Sequence, residues 1–85
     1  MTIARLNRLV SEGAYTISRD NPTHSANIQG QRALRQDAMA ATGLYRFEKH
    51  IQDVFWELAW RQFRDKGKPL NAVVKVLQQI ARWNK

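Results

Sequence analysis

The chain has 85 residues, 14 Lys plus Arg against 7 Asp plus Glu, a formal net charge of +7 and no Cys. That length allows one small domain, residues 1–85. The lack of Cys excludes disulfides and thiolate metal sites, and no stretch approaches the roughly 20 apolar residues of a membrane-spanning helix.

The charge predicts attraction to nucleic acid, anionic lipid or an acidic protein surface. The first residues, MTIARLNRLVSEG, do not read as a secretory signal, because Arg5 and Arg8 interrupt the apolar positions. They weakly echo an organellar presequence, but Glu12 and the turn residues after it argue against one. A cytoplasmic protein without a membrane segment is the expectation.

Ile3, Leu6, Leu9 and Val10 recur at helical spacing, which predicts a short amphipathic helix over residues 2–12. Gly13 is a suitable stop. Residues 14–25 are the least regular. Tyr15 and Ile17 alternate with polar residues, consistent with a brief extended piece, and Asp20-Asn21-Pro22 is turn chemistry. Pro22 also suits the first position of a helix capped by Asn21. The next helix starts between Pro22 and Ala26.

From there the pattern is helical to about Asp65, with Leu34, Ala38, Ala41 and Tyr45 in one stripe. Gly43 interrupts the run at a cost of roughly 1 kcal/mol relative to Ala and marks a break, a bend or a close backbone approach, the favoured of these being two helices that meet near residues 42–44. The small residues 38–43 would allow a close backbone approach. Arg64 to Pro69 form a second turn, and Pro69 suits the first position of a last helix. There Leu70, Val73, Val74, Leu77, Ile80 and Ala81 make a broad apolar face, flanked by Val76 and Trp83. The fold class is all-α: a compact bundle of three to four helices with a central aromatic-rich helix.

That central helix carries VFWELAWRQF, residues 54–63. On a helical wheel Phe47, Ile51, Val54, Phe55, Leu58 and Ala59 fall in one sector, and Tyr45, Trp56, Trp60 and Phe63 in the next. Together they cover roughly 240° of the helix, where a surface helix needs little more than 100°. Both sides therefore need cover. The expectation is that Val54, Phe55, Leu58 and Ala59 face the core. Trp56, Trp60 and Phe63 are then either further core or a surface for a partner or a second copy of the chain, since Trp is enriched in interface hot spots.

The charge is uneven. Residues 1–65 hold nine basic and seven acidic side chains, while residues 66–85 hold Lys66, Lys68, Lys75, Arg82 and Lys85 and no acid. Cations near a helix C-terminus are ordinary, which accounts for Arg82 and Lys85. It does not account for Lys66, Lys68 and Lys75. With Arg61 and Arg64 just before the turn, Arg61, Arg64, Lys66, Lys68, Lys75 and Arg82 are candidate contacts to phosphates or to an acidic partner.

Aligned on Gly67, the last two helices weakly echo a helix-turn-helix, with Val73 and Val76 inward. Bulky Phe63 stands where a small residue is usual, and alignment on Gly43 fails because Lys49 and Gln52 would point inward. GLYRF lacks the spacing of an RNA-recognition strand.

Catalytic chemistry is not indicated. The four Gly are scattered, and His24 and His50 are the only imidazoles. His50, Asp53 and Glu57 share one helical strip, but Arg46, Arg61 and Arg64 crowd it, so ion pairing, Glu57 with Arg61 foremost, is expected in place of a metal. No cofactor is called for. Two functions fit: a small basic nucleic-acid-binding or regulatory protein working through the last turn and helix, or an interaction module, an inhibitor or adaptor docking through Trp56, Trp60, Phe63 and the basic helix. Homodimerisation is compatible with either.

Overall fold

Thr2 opens the first helix by accepting a hydrogen bond from the Arg5 N–H at 3.1 Å, the usual use of a threonine at an N-cap. Helix α1 spans Ile3–Ser11. It ends in a Schellman motif: the Gly13 N–H donates to the Val10 carbonyl and the Ala14 N–H to that of Leu9, with Gly13 in the left-handed region. The computed structural model describes residues 1–21 and 23–84. The expected roles of Pro22 and Lys85 lie outside the described residues.

Helix α2 spans Ser25–Thr42, capped by the His24 side chain rather than by Asn21: His24 Nδ1 accepts from the Ala26 N–H at 3.3 Å. The long helical run does break at Gly43, whose φ of 78° ends α2. A single 3-10 turn, Leu44–Arg46, leads to α3, Lys49–Arg64. Helix α4 spans Leu70–Trp83, with Pro69 one residue ahead of it as N-cap. Four α-helices and no strand occur among the described residues.

All four helices feed one core: Leu6 and Val10 from α1, Leu34, Ala38 and Met39 from α2, Trp56, Ala59, Trp60 and Phe63 from α3, and Val73, Val74, Leu77 and Ile80 from α4, with Leu44 of the 3-10 turn. The short turn after α3 sends α4 back along it, and this pair makes the most extensive contact in the fold. Helix α4 packs on all three other helices, which fits its run of fully buried Val73, Val74 and Leu77.

The irregular segment after α1 forms no strand but is well tied. Tyr15 and Ile17 pack on the core, and the Tyr15 hydroxyl donates to Asp37 at 2.5 Å. The buried Asn27 amide donates to the carbonyls of Ser18 and Asn21 at 2.6 and 2.8 Å. A close backbone approach does occur at Gly30, against Thr16.

Candidate functional site

Of the two readings of the aromatic sector of α3, the structure takes the core one. Of the residues expected to face the core, Ala59 is buried and Phe55 packs against the core, while Val54 and Leu58 do not. Trp56 and Trp60 are 7% and 8% exposed, and Phe63 is buried with them. Val54 and Leu58, expected inside, are 56% and 46% exposed. The physical reason is area. Each large aromatic side chain removes far more apolar surface from water than a Val or Leu, so one covered face gains most by holding the rings.

Trp56 and Trp60 stack with centroids 5.4 Å apart, and Trp60 meets Phe63 at 5.1 Å. Part of the cover over Phe63 is Arg19, whose guanidinium carbon lies 4.1 Å from the ring centroid. A partner docking directly on Trp56, Trp60 and Phe63 would have to displace this packing. The apolar side that α3 presents to solvent is Val54 and Leu58.

The basic residues divide into engaged and free groups. Arg64 is engaged: it pairs with Glu57 at 2.8 Å and with Asp65 at 2.9 and 3.1 Å. The hydrogen bond from Arg64 holds the Asp65 carboxyl below its ordinary range, with the charge of Arg61 adding to the effect. The expected Glu57–Arg61 pair gives way to Glu57–Arg64, because Asp65 and Glu57 together offer Arg64 two carboxylates.

Lys66, Lys68, Lys75 and Arg82 are all exposed. Among the described residues none of them pairs with a carboxylate. Lys75, Gln78, Gln79 and Arg82 line a shallow groove on the outer face of α4, as their spacing on one helical strip requires.

Lys66 and Lys68 stand in the preceding turn. Arg19 fixes that turn: its Nε donates to the Phe63 carbonyl at 3.2 Å and its terminal nitrogen to the Lys68 carbonyl. Nothing local in the sequence points to Arg19, since its targets lie more than forty residues away.

The strip of His50, Asp53 and Glu57 is divided among other partners. Asp53 pairs with Arg35 of α2, whose hydrogen bond lowers the carboxyl pKa. Glu57 pairs with Arg64, and His50 lies 3.4 Å from Glu48.

A second basic surface was not expected. Arg32, Arg35, Gln36, Met39, Tyr45 and Lys49 border a groove between α2 and the start of α3. Tyr45, placed by the wheel beside the tryptophans, belongs to the 3-10 turn and is 63% exposed. Over residues 1–65 the charge is nearly balanced, yet Arg32 and Lys49 on this groove make no ion pair with a carboxylate among the described residues.

No helix among the described residues is long and apolar enough to cross a membrane. No family model, no curated protein and no solved structure matches the chain significantly.

Proposed function

We propose that this is a small, basic, non-enzymatic nucleic-acid-binding or regulatory protein of the cytoplasm. It would contact phosphates through the turn and outer face of α4. The observation that carries the reading is the set of four exposed cations, Lys66, Lys68, Lys75 and Arg82, without carboxylate partners among the described residues. Gln78 and Gln79 lie between the two helical cations and can hydrogen-bond alongside them. Arg61 stands near the turn, while Arg64 serves more to neutralise Glu57 and Asp65 than to meet a ligand. Affinity from such contacts is electrostatic and falls steeply with salt.

The test is a salt titration of binding to labelled duplex DNA and RNA. The Lys75→Ala/Arg82→Ala double variant should weaken binding and lower the slope of log K against log salt by about 2. Both positions are exposed, so circular dichroism should show an unchanged fold. Absence of binding to DNA and RNA at low salt overturns the reading.

A second reading keeps this surface and gives it an acidic protein partner. Trp83 favours it: it adjoins Arg82 and is 77% exposed, and Trp is a frequent interface anchor. In that case the anchor is Trp83 rather than Trp56, Trp60 and Phe63. Affinity for nucleic acid that is unchanged in Trp83→Ala counts against a role for this ring there. Self-association through Val54 and Leu58 is a further proposal, compatible with either function and decided by sedimentation at high protein concentration.

A further inference from the structure

Tyr45 is a large aromatic side chain held outside the core on a fixed support. Gln52 Nε2 donates to the carbonyls of Tyr45 and Phe47 at 3.1 and 2.7 Å, and Arg46 Nε donates to the Gly43 carbonyl at 3.1 Å. The turn beneath the ring is thus tied at both ends. The groove beside it has an apolar part, Met39 and Ala40, and a basic rim, Arg32 and Lys49. Asp53 is paired with Arg35, and among the described residues neither Arg32 nor Lys49 makes an ion pair with a carboxylate.

We propose that this groove binds an unpaired nucleobase of single-stranded nucleic acid, stacked on Tyr45, with the flanking phosphates on Arg32 and Lys49. The inference rests on the nucleic-acid reading above but uses a different surface. A duplex keeps the faces of its bases covered by their neighbours, whereas a single strand can place one on an exposed ring. An acidic peptide would meet the same cations and can also cover an aromatic ring, so Tyr45-dependent binding of a single strand is what distinguishes a stacked base. Gln36, at the edge of the same groove, supplies an amide that can bond the edge of any base, so sequence preference is weak.

The test is fluorescence anisotropy at low salt, with a labelled oligothymidylate and a labelled mixed-sequence duplex as probes. Tyr45→Ala should weaken oligothymidylate binding roughly tenfold, the usual size of one stacking contact, and leave duplex binding unchanged. Tyr45→Phe should bind like the parent. Arg32→Ala/Lys49→Ala should lower the salt slope for the single strand by about 1.4.

Parent affinity for oligothymidylate in Tyr45→Ala, with duplex binding intact, overturns the inference and leaves the α4 reading standing. So does duplex binding without single-strand binding. A loss in Tyr45→Phe as large as in Tyr45→Ala, or an equal loss on both probes, also overturns it. Failure to bind either probe overturns this inference, and the α4 reading falls with it where duplex RNA is not bound either.

Discussion

Thr16 lies directly on Gly30: a β-carbon at Gly30 would stand 2.9 Å from the Thr16 carbonyl carbon and closer still to its oxygen. Gly30 sits in the middle of α2, where Ala would be favoured by about 1 kcal/mol on helix propensity. The contact outweighs that preference, because the obstacle is backbone and not a side chain that can swing away. Gly30→Ala should therefore destabilise the fold by about 2 kcal/mol net, a large part of the margin of a domain this size. Urea unfolding measures it. A Gly30→Ala variant as stable as the parent would mean that residues 14–18 lift from α2 without cost.

The burial of the rings of α3 and the exposure of Val54 and Leu58 predict a contrast between neighbours. Trp60 is buried, stacked on Trp56 and in contact with Phe63. Trp60→Ala should cost about 3–5 kcal/mol and leave little folded protein. Leu58→Ser, two positions earlier, should cost only about 1 kcal/mol, because that side chain is half covered and Ser is a poorer helix former. If Leu58→Ser destabilised as much as Trp60→Ala, the face assigned to the core would be wrong.

The contrast also separates what periodicity reveals from what it cannot. Leu6, Leu34, Val73, Val74 and Leu77 lie on single apolar stripes, and all five are buried. The break at Gly43 was legible because a lone glycine between two helical patterns suits a left-handed cap. On α3 two apolar sectors adjoin, and the wheel has no means of ranking them. The ranking depends on how much ring area α4 and the loop can cover, a tertiary quantity. The basic face of α4 was legible for a similar reason to the stripes, since Lys75, Gln78, Gln79 and Arg82 share one helix. The groove under Tyr45 joins residues from α2, the 3-10 turn and α3, so no local window contains it.

Arg19 is the clearest of these long-range parts. It bonds the carbonyls of Phe63 and Lys68 and covers the Phe63 ring, closing the end of α3 where backbone acceptors lack helical donors. Arg19→Ala should cost about 1–2 kcal/mol. It should also speed hydrogen exchange at the Lys68 amide, which donates to the Gln62 carbonyl within the same turn. Arg19→Lys should recover only part of the loss, because a lysine cannot present a planar fork to two carbonyls. Unchanged exchange in Arg19→Ala would show that the turn holds itself.

Tyr15 predicts behaviour at alkaline pH. Its hydroxyl donates to Asp37. Burial first, then this hydrogen bond and the carboxylate charge, push the phenol above its ordinary value of 10.0. A group whose pKa is raised by folding contributes its full stabilisation below the unfolded value and loses it as pH rises through the folded one. Stability should therefore hold up to about pH 10 and decline above it as the tyrosinate is expelled from the Asp37 site. The chain has two tyrosines, so in Tyr45→Phe the phenolate absorbance reports Tyr15 alone, and it should rise together with unfolding. Tyr15→Phe should lose about 1 kcal/mol at neutral pH and lack the alkaline decline attributed to this hydroxyl. A phenolate that appears near pH 10 with the helical signal intact would mean that Asp37 does not restrain this proton.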